Sequence, residues 1–330
     1  MENFQFIDYH RKRDFSKKVN ATFEFVKQNF KSLFKSILFI AGPPMLIGSL
    51  LIGSFLGDFI TMSQKAVIDP LGFQNYLSTA SFWLQFAMMM ICVTISLVIT
   101  LSTINNYLIL YEEKKTNRIE VSEVWERVRT TMMMYFGTVF LFIVLFMVAY
   151  VAIVIIAVAV ASISAVAGGV LMVLLILFFF LGFFYLTIGV SLTFIIRSYE
   201  KKSFFASVAR SVKLVQGKWW STFGLIFILY MIMMIISYIP MIPFYIMLFI
   251  NSMHSVSNGS LQQPSATVQV WTTLSFVLYY LVQMLLSTLP NVGIAFQYFN
   301  LVELKEAKGL MSDIETLGKP MEVERPEENF

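Results

Sequence analysis

TVFLFIVLFMVAYVAIVIIAVAV, residues 138–160, contains no charged side chain and no proline. Seven residues further on, GGVLMVLLILFFFLGFFYLTIGVSLTFII runs over 168–196, again uncharged. Each run exceeds the ~20 residues that an α-helix needs to cross ~30 Å of hydrocarbon. With no water in the bilayer core, every backbone N–H and C=O must be bonded internally, and a helix does this within one segment. The link ASISAVA leaves room only for a tight return. The pair reads as a transmembrane hairpin.

Four more apolar stretches flank it, at 33–56, 82–111, 221–250 and 271–301, making six spans. The composition agrees, with 58% hydrophobic and 13% charged residues, against roughly 45–50% and about 25% in soluble domains. A soluble fold of this length could not hide so much apolar surface. The expected fold class is all-α, a polytopic membrane protein with six transmembrane helices.

Of the 24 Lys and Arg, 22 lie before the first span, after the last, or in the links at 112–131 and 197–220, and Lys35 sits at the start of the first span on the same side. The links at 58–81, 161–167 and 251–270 hold only Lys65. The positive-inside rule places the basic side and both termini in the cytoplasm. The net charge of +4 therefore has a topological explanation, and nucleic acid is not an expected partner. Residues 1–31 carry Arg11, Lys12, Arg13, Lys17 and Lys18 and no short apolar run ending in a cleavage site, so no cleavable signal is expected. Cys92 is the only cysteine, which excludes a disulfide within the chain. The expected location is a bacterial inner membrane.

The cytoplasmic segments resemble one another. Val26-Lys27, Val128-Arg129 and Val212-Lys213 are followed at one distance by Leu33-Phe34, Tyr135-Phe136 and Trp219-Trp220, then by Ser36, Thr138 and Thr222. Tyr111-Glu112-Glu113-Lys114-Lys115 matches Tyr199-Glu200-Lys201-Lys202, with a looser echo at Glu303-Leu304-Lys305-Glu306. Three repeated units are expected, each an amphipathic cytoplasmic helix, a span out and a span back. Apolar residues recur every three or four positions in each helix. They are Phe15, Val19, Phe23, Val26, Phe30 and Phe34; Val121, Val124, Trp125, Val128 and Met132; and Phe205, Val208, Val212, Val215 and Trp219. Such helices suit the headgroup layer, with basic residues toward anionic lipid; the alternative is packing on the bundle. Lys27, Lys31, Arg129, Arg210, Lys213 and Lys218 are the candidate contacts to anionic lipid headgroups or to a membrane-protein partner. The chain divides into 1–32, a basic segment with the first helix; 33–308, the six-span domain with helices near 118–131 and 203–219; and 309–330, an acidic tail expected to be disordered.

One stretch carries a family resemblance. It runs FIIRSYE over 194–200, FASVARSVKL over 205–214, GKWW over 217–220 and then Phe223-Gly224. It resembles the membrane domain fused to some bacterial glycerophosphodiester phosphodiesterases, and related stand-alone bacterial membrane proteins of unknown function. In that group a span ends at an acidic residue and is followed by an A-x-x-R-S-x-x-L-x-x-G helix; Glu200, Arg210, Ser211, Leu214 and Gly217 are the matching positions. The likeness is tight over about thirty residues and loose over the six-span layout. It implies architecture more than activity, because the phosphodiesterase barrel would require about 250 further residues.

Chemistry has few footholds. His10 and His254 are the only histidines and fall on opposite sides of the membrane, and no Asp, Glu, Lys, Arg or His lies well inside an expected span. That argues against proton-coupled transport, although sodium coupling through hydroxyl and carbonyl oxygens stays open. No phosphate loop, zinc spacing or nucleophile elbow occurs, so no catalytic residue, metal or cofactor is expected, and the chain is not read as an enzyme. Neutral polar residues gather instead in the returning spans: Thr100, Thr103 and Asn106 in the second, Thr187 and Ser191 in the fourth, Gln283, Ser287 and Asn291 in the sixth. They are a candidate polar pathway around a pseudo-threefold axis; interhelical hydrogen bonding is the alternative. Gly42-Pro43-Pro44, Pro240 with Pro243, and Pro290 with Gly293 are expected to kink their helices. The leading expectation is a non-enzymatic protein that organises lipid or a membrane complex through its basic helices. The alternative is a transporter, channel or lipid-translocating protein.

Overall fold

Proline decides where the first helix ends. The computed structural model describes residues 4–66, 69–162, 165–258 and 266–307. Helix α1 (Phe15–Ile40) stops at Ala41, and α2 (Gly42–Lys65) begins with Pro43 and Pro44 in its first turn, where a missing N–H costs nothing. The first span is Gly42–Ser63, not 33–56. Hydropathy runs unbroken across this junction, so only the prolines mark it. The shift carries Asp58 into the C-terminal end of the span.

A short helix α3 (Pro70–Ser78), capped by Asp69 accepting the Gly72 N–H, leads into α4 (Ala80–Lys114), the second span. Helix α5 (Val121–Ala161) starts from a capping box between Glu120 and Glu123 and continues without a break for 41 residues, about 60 Å. The stretch near 118–131 is thus no separate element; it is the basic end of the helix that forms the third span. Helix α6 (Ala165–Val190) returns, breaks at Ser191-Leu192 and resumes as α7 (Thr193–Glu200). Helix α8 (Phe204–Val215) ends at Gly217, whose φ of +78° suits glycine.

The last unit comprises α9 (Trp219–Ser237), a 3₁₀ turn at Ile239–Met241, α10 (Ile242–Asn258), α11 (Ala266–Leu286) and α12 (Thr288–Glu306). The turn carries Pro240, and the α11–α12 break sits just ahead of Pro290. Six helical stretches are long and apolar enough to cross a membrane, and no strand occurs among the described residues. The expected acidic tail lies outside the described residues.

Helix α1 packs against α4 and α12 and contacts α2, α5 and α9. It buries a mixed stripe of Lys18, Thr22, Phe25, Asn29, Leu33 and Ser36, while Phe15, Phe23 and Phe30 face outward. The returning helices α4, α7 and α12 pack on one another. Each ends in a residue with left-handed backbone: Lys115, Lys201 and Ala307. Their meeting place is filled by aromatic side chains, Tyr9, Phe25, Tyr111, Phe296 and Phe299, all nearly inaccessible. The N-terminal segment closes this core from below: the Ile7 N–H donates to Tyr111 Oη (3.0 Å), and Tyr9 Oη donates to the Leu108 carbonyl (3.1 Å). The α5–α6 hairpin stands apart, with no buried residue in the most apolar window of either span.

Candidate functional site

Helix α1 and the link into α5 enclose a groove of about 1580 Å³. Lys27, Lys31 and Lys35 line it at intervals of four residues and Phe23, Phe30 and Phe34 lie beside them, because positions three and four apart share a helix face. The opposite wall is 117–122, including Arg118, and Leu286 and Leu289 close one end. Two hydrogen bonds tie the walls together: Ser32 Oγ to the Ile119 carbonyl (2.5 Å) and Asn117 Nδ2 to the Gln28 carbonyl (3.3 Å). Phe30 and Phe34 stack at 4.4 Å, and Lys35 Nζ lies 6.0 Å from the Phe39 ring centre. Phe30 and Phe39 are 54% and 68% exposed, so the groove presents cations and bare aromatic surface side by side.

The remaining sequence-predicted basic residues part company. Arg129 on α5, Lys213 on α8 and Lys218 beyond it are exposed and outside the groove. Arg210 is already engaged: Nε donates to Glu200 Oε1 (2.8 Å), and the guanidinium fork grips both oxygens of Glu306 (2.5 and 3.0 Å). These carboxylates, Glu306 foremost, hold the Arg210 pKa above its ordinary value. The other residues of that stretch are equally occupied. Ser211 Oγ donates to the Gly189 carbonyl (2.6 Å) and accepts the Leu192 N–H (3.2 Å), bonding backbone groups on either side of the α6–α7 break. Leu214 is 1% exposed. The stretch is a clamp joining the fourth and sixth spans.

The polar residues of the returning spans do not converge on one place. A second, largely apolar cavity of about 870 Å³ between the α5–α6 hairpin and helices α4, α9 and α12 brings together Thr187, Ser191 and Asn291, with Asn105. Thr100, Thr103, Asn106, Gln283 and Ser287 are not in its lining. Thr100 and Thr103 bond their own helix at the Ser96 and Ile99 carbonyls (both 2.7 Å), and Ser287 bonds the Met284 carbonyl (2.6 Å). Asn106 Nδ2 reaches across to Thr131 Oγ1 (2.8 Å). Within the cavity, Thr187, Ser191 and Asn291 also donate to carbonyls of their own chain segments.

Sequence reasoning missed a polar seam along the N-terminal segment and α1. Lys18 is 2% exposed, with Nζ donating to Gln297 Oε1 (2.6 Å) and Ser221 Oγ (3.1 Å). Burial, reinforced by the Lys218 charge, lowers its pKa. His10 Nε2 sits 2.9 Å from Glu112 Oε1 and 3.2 Å from Tyr199 Oη. The hydrogen bond to Glu112 raises the His10 pKa above 6.5 against the opposing effect of burial. The Arg13 N–H donates to Asn300 Oδ1 (2.7 Å). No local pattern announces these contacts; the only signal was the conspicuous charge of residues 8–18. Among the described residues no group of His, Cys, Asp and Glu could hold a metal ion. Comparison with protein-family models, with curated proteins and with solved structures finds no match to this chain.

Proposed function

We propose that this polytopic membrane protein is non-enzymatic and holds anionic lipid at its cytoplasmic face. The observation that carries the reading is the groove beside α1, where Lys27, Lys31, Lys35 and Arg118 lie against exposed phenylalanines. Basic side chains near a membrane surface attract anionic headgroups, and an apolar face beside them takes acyl chains. Three similar units, an inner-membrane location and cytoplasmic termini belong to the same proposal. The left-handed helix ends at Lys115, Lys201 and Ala307 and the mutual packing of α4, α7 and α12 support the repeat. The likeness to the phosphodiesterase membrane domain fits it too, since Glu200, Arg210, Ser211, Leu214 and Gly217 each have an architectural task.

The test is isolation in native-lipid particles with quantitative lipid analysis. Anionic phospholipid enriched over the surrounding membrane is the expected result; an unenriched lipid shell overturns the reading. A second reading, translocation of an amphiphile, is favoured by the 870 Å³ cavity that gathers Thr187, Ser191, Asn291 and Asn105. It predicts lipid flip activity in liposomes, abolished when those four residues are made apolar.

A further inference from the structure

We infer that the α1 groove is the binding site for one anionic glycerophospholipid, with its phosphate between Lys31, Lys35 and Arg118 and an acyl chain along Phe30 and Phe39. This rests on the lipid-holding reading and narrows it to a single site. Lys27, Lys31 and Lys35 form a row with steps of about 6 Å along α1, and Arg118 faces them from the other wall. Lys31, Lys35 and Arg118 meet one carboxylate in the groove's lining, Glu120, whose side chain accepts the Glu123 N–H and the Ser122 hydroxyl. A cationic pocket of this kind selects a compact anion with several acceptor oxygens, and guanidinium and ammonium donors serve phosphate well.

The phenylalanines exclude a purely soluble anion as the best occupant. Phosphate alone would leave Phe30 and Phe39 in water, whereas a phospholipid covers them and neutralises the lysines together. Continuity with the bilayer points the same way. Helix α1 passes into the first span at Gly42, and the groove's lining includes Leu286 and Leu289, which belong to the sixth span. An acyl chain leaving the groove there meets no charged side chain among its lining residues except Lys35, whose Nζ lies 6.0 Å from the Phe39 ring centre.

Native mass spectrometry of the full chain in detergent, titrated separately with dioleoyl phosphatidylglycerol, dioleoyl phosphatidylcholine and glycerophosphate, tests this. Phosphatidylglycerol is expected as one retained adduct and phosphatidylcholine is not. The double variant Lys31→Gln, Lys35→Gln should weaken phosphatidylglycerol retention by on the order of tenfold. Phe30→Ser with Phe39→Ser should weaken it comparably; all four side chains are exposed, and a thermal melt confirms folding. Equal retention of both lipids overturns the inference, as does displacement of the lipid by an equal concentration of glycerophosphate. If Lys213→Gln with Lys218→Gln removes the adduct while the groove variants keep it, the groove assignment fails and the lipid-holding reading stands. If no variant alters retention, the groove assignment fails; if neither lipid is retained, both fail.

Discussion

At the scale of single residues, His10, on the basic side of the molecule, is placed to respond near neutral pH. Its Nε2 faces Glu112 and Tyr199, with Phe299 against the ring at 5.1 Å and Asp8 and Glu303 adding negative potential. Its pKa is raised in the folded protein, so its stabilising contribution is fully present below about 6.5 and is lost as pH rises through the raised value. The contact ties down residues 7–13, whose Ile7 amide is bonded to Tyr111. Hydrogen exchange of that amide, corrected for intrinsic rate, should therefore accelerate as pH rises from about 6.5 through the raised value. In His10→Gln the rate should be high and nearly independent of pH over that range. A wild-type profile as flat as the variant's would remove any role for the His10–Glu112 pair in holding the segment.

At the scale of helices, backbone approach substitutes for the hydrophobic drive that lipid removes. Gly53 of α2 faces α11 so closely that an added Cβ would lie 2.8 Å from the Thr273 carbonyl oxygen, and backbone cannot swing aside. Gly53→Ala should cost about 1–3 kcal/mol, read as a lower melting temperature in detergent. Gly137→Ala on α5, where nothing lies within 4 Å, is the control and should hold or raise it, since glycine weakens a helix interior. Much at this scale was legible: the spans from apolar run length, and three helix breaks from Pro43-Pro44, Pro240 and Pro290. The break at Ser191-Leu192 was not, because Ser211, about twenty residues away, is what bonds its freed backbone. The orientation of α1 was not either. A phenylalanine row faces lipid as comfortably as protein, so periodicity located the stripes without saying that Lys18, Phe25 and Asn29 turn inward. In the groove, Lys27 and Lys31 were readable from charge spacing. Arg118 joins them only through a contact nearly ninety residues distant in sequence, which Ser32 and Ile119 secure.

At the scale of the molecule, interactions are graded from one side to the other. Arg210 with Glu200 and Glu306, Tyr199 with Glu112, Lys18 with Gln297 and Asn300 with Arg13 bind the N-terminal segment, α1, α8 and the ends of three spans into one cross-linked layer. Toward the opposite end the α5–α6 hairpin has no buried residue in the most apolar window of either span. The basic residues occupy the cross-linked side, so orientation in the membrane decides whether the groove meets the anionic cytoplasmic leaflet. With Cys92→Ser as background, Ser78→Cys at the end of α3 and Ser203→Cys ahead of α8 report the two sides, both positions being exposed. A membrane-impermeant maleimide added to spheroplasts should label Ser78→Cys and leave Ser203→Cys untouched until the membrane is permeabilised. The reverse pattern would turn the whole basic layer away from the cytoplasm, against the 23-to-1 distribution of Lys and Arg. It would also deprive Lys31, Lys35 and Arg118 of the leaflet whose charge they complement, and the lipid-holding function would go with it.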